Sequence, residues 1–381
     1  MTGLLILFLG TATLLWLSVF GYLLALRIIV YCQRQTDRNV STCPEIAVVI
    51  PTLNDEELIL AKLADLKRTD YPHDKITIVV VDGGSVDQTT EITRQQILQG
   101  NALPLMCLNT SRGRCDQINH ALGRLPQEII VVTNVDAVLE PSCIKELVSM
   151  LENDLKAGVV GAMVWSADAL VEERLHWYYL NYLWWLEGEA LSSAGVCGVC
   201  YAFRRESVLP LAPDALADDI YVALAAGAKG YRARICRTAH AKEIRVPRTA
   251  SEFVQFRCRR GSAYLYELRR SSQYANETVG WWLVRLMRLW HFLVTPKLGV
   301  GLVFLALLLL MTPHWRWPLL GFVAFAAPAL TVMVPSNMPA GDRPPWWSLA
   351  WSASRWFVLT WVSLLTLKPH PSASTPYGWM V

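Results

Sequence analysis

The chain has 381 residues, 35 Lys and Arg against 32 Asp and Glu, a net charge of +3, 53% hydrophobic residues and a mean hydropathy of +0.29. Charged residues make up only 18%, against about 25% in ordinary soluble proteins, which excludes a disordered chain and an ordinary cytosolic enzyme, while the near-neutral balance argues against a nucleic-acid partner. Nine cysteines over this length make no disulfide framework and read as reduced thiols in a cytosolic compartment.

From the N-terminus, Leu4 to Leu26 is an uncharged run. About 20 apolar residues cross a bilayer as a helix. The run lacks a basic start and a small-residue cleavage site, so an anchor is expected rather than a signal peptide. Arg27, Arg34 and Arg38 follow it, and the positive-inside rule puts what comes next in the cytosol.

Ile46–Ile50 is a β-rich run ending at Pro51, with a helix expected over Glu56–Leu66. Ile76–Val81 is a second strand, followed by a helix over Glu91–Leu98; Glu128–Val132 is a third, followed by a helix over Pro141–Leu151; Val159–Val164 is a fourth. Continuous apolar strands suit a parallel sheet covered on both faces. The alternation predicts a doubly wound α/β domain, whose ligands sit at the carboxyl ends of the strands. Trp177, Tyr178, Tyr179, Tyr182, Trp184 and Trp185 mark an aromatic-rich helix, a pattern that most often means core packing.

Beyond Gly280, Arg285 and Arg288 interrupt aromatic and aliphatic residues, as in a helix lying on a membrane surface. Leu289–Thr312, with Pro296 as a predicted kink, Pro318–Pro335 and Trp346–Leu367 are expected spans. The last contains Arg355, which either has a function within the span or snorkels to its edge. Eleven of the sixteen tryptophans lie after residue 280, as interfacial belts require. The expected layout is an anchor and linker over 1–43, a cytosolic block over 44–272, an interfacial helix over 273–296 and membrane helices over 297–381, in a bacterial-type plasma membrane.

Three polar clusters fall at three consecutive strand ends: Pro51-Thr52-Leu53-Asn54-Asp55-Glu56, Asp82-Gly83-Gly84-Ser85-Val86-Asp87-Gln88-Thr89, and Asn134-Val135-Asp136. Each has the composition of an ordinary turn, and Asp87 has the chemistry of a helix N-cap. Their recurrence at one edge of one sheet points to a shared site. Asp218-Asp219 precede Gly227 and Gly230-Tyr231, and the acid pair also suits a helix N-terminus. Cys197 and Cys200 have no second pair or nearby His, so zinc is not expected.

Over about Pro44 to Gly261 these motifs resemble the family 2 glycosyltransferases of the A-type fold, in their membrane-embedded branch. Asp82 to Thr89 is similar to the family's nucleotide-binding loop, Arg112-Gly113-Arg114 with Gln117 and Asn119 to a segment facing the diphosphate, and Asn134-Val135-Asp136 stands in the place of the metal-binding D-x-D. The resemblance implies a Rossmann-like mixed sheet flanked by transmembrane helices. It implies a UDP-type nucleotide-sugar donor held by Thr52, Asn54, Glu56, Asp82, Ser85, Arg114, Asn134 and Asp136. Mg²⁺ or Mn²⁺ would be held by Asp136 and Asn134. Asp219 would be the general base of an inverting transfer, with Asp218 beside it. Phe256-Arg257-Cys258-Arg259-Arg260 lies where membrane members carry Q-x-x-R-W. Arg259 aligns with the family arginine, and Arg257, Arg260 and Gly198 fall on the acceptor side. Asn134 departs from the expected Asp, and Arg260 stands where Trp is expected. The implied acceptor is a membrane lipid or lipid-linked glycan. A processive polysaccharide synthase and a non-catalytic membrane scaffold are the rival readings.

Overall fold

The computed structural model describes residues 2–33, 42–100, 104–110, 113–166, 169–208, 210–274, 278–314, 316–318 and 346–367. Arg34, Arg38 and Arg112 lie outside these, as does the expected span over Pro318–Pro335 beyond its first residue. Eight strands form one sheet: β1 (Ile46–Thr52), β2 (Ile76–Asp82), β3 (Leu105–Asn109), β4 (Ile129–Thr133), β5 (Ala137–Leu139), β6 (Ala157–Trp165), β7 (Cys200–Arg204) and β8 (Arg232–Glu243), in the order β3-β2-β1-β4-β7-β6-β8-β5.

β1 to β4 are parallel, as their unbroken apolar runs require, and every residue of β1 and β4 is buried. Their register sets Thr52 opposite Asp82, so two of the polar clusters emerge side by side. The other half is mixed, and so departs from a purely parallel doubly wound sheet. β7 runs antiparallel to both β4 and β6, β6 and β8 are parallel, and β5 closes the edge antiparallel to β8. β3, β7 and β8 carry no expectation from the sequence. β8 (RARICRTAHAKE) mixes charged with small residues, and β3 is a five-residue edge strand, so neither makes an apolar run.

The helices of this block are α3 (Ile59–Leu66), α4 (Thr89–Leu98), α5 (Arg114–Leu122), α6 (Cys143–Asn153), α7 (Val171–Ala190), α8 (Asp218–Ala228) and α9 (Ala250–Arg270). α3 starts three residues later than expected because 53–58 form a turn in which Asn54 takes φ 54° and Asp55 Oδ2 accepts from Leu53 N. α7 is the expected aromatic helix, with Trp177 and Trp184 in the core.

At the N-terminus α1 (Thr2–Trp16) and α2 (Tyr22–Cys32) are joined through a π turn at Leu17–Gly21. Thr2–Cys32 is long and apolar enough to cross a membrane. α10 (Val279–Leu293) and α11 (Thr295–Leu310) pass that test only as a pair, bent by 41° next to Pro296. α12 (Trp346–Leu365) has a shorter apolar section, Arg355–Leu365. These elements pack on the α/β block. Leu23 and Leu26 meet Leu183, Leu186 and Ala190; Phe8 meets Leu305 and Leu309; Trp356 joins Leu175 and Phe253.

The arginines of α10 do not point to headgroups. Arg285 and Arg288 are buried against the domain, and Arg288 pairs with the buried Glu187 (Nε–Oε1, 2.9 Å). Arg355 pairs with Glu172 at 3.2 Å and stays 43% exposed.

Candidate active site

The loops after β1 and β2 are laced together. Asn54 N donates to Ser85 Oγ (2.8 Å), Val86 N to Asn54 Oδ1 (2.9 Å), Asp55 N to Thr89 Oγ1 (2.8 Å) and Gln88 N to Glu56 Oε2 (2.9 Å). Asp82 Oδ2 accepts from Gly84 N and Ser85 N, both at 3.0 Å. Asp87 takes the cap-like position, accepting from Thr89 N at 3.0 Å. A short acceptor-rich side chain of this kind replaces missing backbone partners in a turn. Gln117 of α5 ties the two strand ends by donating to Thr52 O and Val81 O, each at 2.8 Å. Asn119 clamps Leu211 through both backbone groups. Gln117 and Asn119 therefore fix the framework, and Arg114 projects from the first turn of α5.

After β4, Asn134 N donates to Val199 O (3.0 Å), while its Oδ1 is buried without a hydrogen-bond partner among the described residues. Asp136 is pinned by its carbonyl to Ile244 N (2.9 Å), and Ala137 pairs with Glu243 across the β5–β8 ladder. Glu243 thus sits next to Asp136, with one carboxylate oxygen, Oε2, buried and unpartnered. Burial pushes Glu243 upward; Arg260 opposes this and Asp136 adds to it. Asp55 is also pushed up by burial; its backbone hydrogen bond and Arg245 (2.8 Å) work the other way.

A divalent ion fits this corner in one particular form. The described residues contain no cluster of three or more His, Cys, Asp or Glu placed to cage an ion. The orphaned Asn134 Oδ1 beside Asp136 offers the one or two hard oxygen donors with which Mg²⁺-type ions are held when phosphates complete the shell.

Asp218 and Asp219 open α8. Asp218 is held on both oxygens, by Arg114 Nε (2.8 Å) and by Tyr201 OH (2.7 Å). Asp219 accepts from Gly198 N at 2.9 Å through Oδ2. Burial, then the charge of Asp218, push the Asp219 carboxyl up to about 7, against the pull of Arg114. Gly198 has a steric reason to be glycine, since a Cβ there would stand 3.0 Å from Asp219 Oδ2. The acid pair therefore both starts a helix and is split in role, one member locked and one carrying a perturbed proton.

On α9, Arg257 pairs with Glu173 (2.7 Å) and Arg260 with Glu243, and Arg260 also lies 3.9 Å from Glu173. Both guanidinium groups stand over the Trp177 ring, at 5.9 and 5.6 Å. Arg259 lies over Phe256 at 4.8 Å; burial first and Arg260 second lower its pKa to about 10.

A cavity of about 400 Å³ joins these groups. Thr52, Arg114, Asn134, Asp136, Gly198, Asp218, Asp219, Arg257, Arg259 and Arg260 line it. Asn54, Glu56, Asp82 and Ser85 do not; they stand in the loop lacing beside it. Asp55 of the first polar cluster lines it too, as do Glu243 and Arg245, two residues not singled out in the sequence. Their signal lay in a further strand end, at Glu243, hidden because β8 was not recognised. The cavity continues between Val19, Phe20 and Leu23 of the N-terminal helix, Phe292 of α10 and Phe357 and Trp361 of α12.

The family model described as Glycosyl transferase family 2 matches residues 47–209. The probable glycosyltransferase YdaM of Bacillus subtilis (strain 168) is 26% identical over 208 residues, 51% of this chain and 50% of that protein. An N-acetylglucosaminyltransferase of Azorhizobium caulinodans is 27% identical over 180 residues, 44% of each. The chain spans about half the length of these curated relatives. Among solved structures, the mannosyltransferase PcManGT from Pyrobaculum calidifontis, in complex with GDP-Man and Mn²⁺, superposes with a TM-score of 0.70 at 21% identity, covering 94% of this chain and 98% of that one. Residues 47–209 are accordingly similar to a family 2 glycosyltransferase domain, and the chain shares the A-type glycosyltransferase fold.

Proposed function

We propose that the chain is a metal-dependent, inverting glycosyltransferase that works at a membrane surface. It takes a sugar from a nucleoside diphosphate and passes it to a hydroxyl of a lipid or lipid-linked acceptor. The observation that carries this reading is Asp219, a half-buried carboxyl brought to about 7 in a cavity that has Asn134 and Asp136 at one side and apolar helices at the other. A base with a pKa near the working pH combines availability with proton affinity.

The donor's diphosphate would lie toward Asn134 and Asp136, with Arg114 and Arg245 on its flanks. A divalent ion bound there supplies Lewis-acid stabilisation of the departing phosphate oxygens. The acceptor hydroxyl gives its proton to Asp219 as its oxygen bonds to the anomeric carbon and the sugar–phosphate bond breaks, and Asp219 then releases the proton to solvent. Gly198 N–H fixes the rotation of the Asp219 carboxylate. One base and one displacement invert the anomeric centre. Asn54, Glu56, Asp82 and Ser85 would shape the rim beside the base and ribose, since their side-chain oxygens mostly accept from backbone N–H groups of the two loops. The two PcManGT ligands, GDP-Man and Mn²⁺, support a nucleotide-sugar donor with a divalent ion.

The test is transfer from a panel of labelled UDP- and GDP-sugars to native lipid extract by the purified full-length protein with Mn²⁺ or Mg²⁺. Label in an organic-soluble product is expected. Long water-soluble chains would instead mean a polymer synthase, and donor neither bound nor consumed would mean a scaffold.

A further inference from the structure

The polar atoms left without partners divide the cavity wall into two chemically opposite parts. Near the strand ends the unpartnered buried atoms are acceptors, Asn134 Oδ1 and Glu243 Oε2. On the helical side, among the described residues, they are the donors Arg257 Nε, Trp177 Nε1 and Trp356 Nε1, joined by His176 Nδ1, by the Thr360 hydroxyl and by Arg260 Nη1, which has no hydrogen bond and only a 3.9 Å ion pair to Glu173. All six residues line the cavity. His176, Trp177 and Trp356 are contiguous, with the His176 ring centroid 6.3 Å from that of each tryptophan, and the two arginines stand over Trp177. Arg257, Trp177 and Trp356 are each more than nine-tenths buried.

A buried donor without an acceptor costs about 1–3 kcal/mol, so a wall with several of them is built for a ligand rich in acceptor atoms. Glu173 pairs with Arg257 and Glu243 with Arg260, each through the Nη2 of its guanidinium. His176 is held neutral by burial and by Arg257 and Arg260, so the wall carries no further positive charge from it. The ligand's remaining features follow from the neighbours. Asp219 asks for a hydroxyl to deprotonate, and Arg260 is close enough to pull on the Asp219 charge. The walls formed by Val19, Phe20, Leu23 and Trp361 ask for a hydrocarbon chain.

Resting on the glycosyltransferase reading above, we infer that the acceptor is an anionic phospholipid in which a phosphodiester or diphosphate stands beside the hydroxyl that receives the sugar. Its phosphate sits against Arg257, Arg260, Trp177 and Trp356, its hydroxyl reaches Asp219, and its chain runs out between the N-terminal helix and α12. A neutral lipid hydroxyl would leave this wall unsatisfied.

The full-length protein in phosphatidylcholine nanodiscs is given dioleoyl phosphatidylglycerol or dioleoylglycerol at equal mole fraction. Lipid retention is read by native mass spectrometry, and sugar transfer from the labelled donor is read separately. Phosphatidylglycerol should be retained over dioleoylglycerol by about tenfold, the ratio that one charge-assisted contact of ~1.4 kcal/mol supplies. Trp177→Phe with Trp356→Phe keeps an aromatic ring at each place while removing both indole N–H groups together with the second ring that carries them. It should cut the preference to about twofold or less, with nucleotide binding retained, since one lost hydrogen bond costs about 1 kcal/mol. Equal retention of the neutral lipid, or an unchanged preference in the double variant, overturns the inference. Because lipid retention needs no turnover, it decides this point even where the donor panel gives no transfer. Absence of donor binding and transfer would count against the glycosyltransferase reading instead.

Discussion

Asp218 and Asp219 are neighbours in sequence and opposites in chemistry, because of what reaches each of them. Asp218 has Arg114 and Tyr201 within 2.8 Å; Asp219 has only backbone N–H donors, from Gly198 and Ile220, and the charge of its neighbour. Two consequences follow with defined sign. Transfer should rise with pH through about 7 and then level off, as a base with that pKa loses its proton; a flat acid limb down to pH 5 would remove Asp219 from the role. Asp219→Asn should lower kcat by about 10²–10⁴-fold while calorimetric nucleotide binding persists. The same substitution should stabilise the protein at pH 8. A carboxyl whose folded pKa is raised makes stability fall as pH rises between its ordinary value and about 7, and Asn has no proton to lose. Melting curves at pH 5 and 8 would show the gain larger at the higher pH. Asn134 gives a third test at this scale. Asn134→Asp should tighten Mn²⁺ binding in the presence of nucleoside diphosphate, because a charged oxygen replaces a neutral one at an already orphaned position; isothermal titration would read it directly.

At the scale of elements, the sequence was most legible where a strand is buried on both faces. β1, β2, β4 and β6 carry unbroken apolar runs, and the polar residues that follow them stand out by contrast. β8 lacks that contrast. Arg232 bonds to carbonyls at the end of α7, and Arg234 pairs with Glu189 and Asp154, so its charges are satisfied by tertiary partners that no local pattern reveals. Glu243 and Arg245 were missed with it. The arginines of α10 misled for the same reason: burial beside Glu187, not a headgroup, explains Arg288. The Asp218-Asp219 pair was readable from a motif, but the hydrogen bond that Tyr201 of β7 makes to Asp218 was not, because it joins distant segments. Gly227 shows how closely these helices meet, since a Cβ there would collide with the Trp281 ring of α10. Trp281 in turn donates to Leu224 O at 3.2 Å. Gly227→Val should therefore loosen α10 from α8 and lower Tm by several degrees, whereas Gly230→Asn, at φ 85° with open space around it, should be nearly neutral.

For the whole molecule, the connection between the N-terminal helix and the α/β block is polar as well as apolar. Tyr22 OH donates to Glu187 Oε1 (2.8 Å), Arg288 holds both oxygens of Glu187, and Trp290 Nε1 donates to Ser18 Oγ (2.9 Å) in the π turn. Three segments distant in sequence thus converge on one buried carboxylate. Glu187→Ala would strand Arg288 without its counter-charge, a loss of about 3–5 kcal/mol for a broken buried pair. Thermal unfolding of the detergent-solubilised protein should show that loss, and Glu187→Gln should recover only part of it. An unchanged midpoint in Glu187→Ala would mean that the network does not hold these segments together.

The order of the sheet also bears on how the protein is made. Ala137 at the start of β5 pairs with Glu243, and Asp136 is pinned to Ile244, so the strand pairing spans 243 − 137 = 106 residues. At a ribosome adding about 5–20 residues per second, the corner that would receive the cation waits roughly 5–20 s after its own synthesis for β8 to arrive. β1 to β4 complete their parallel pairing well before that. The nascent chain therefore passes through a stage with a formed nucleotide-side half-sheet and an unpaired β6 edge.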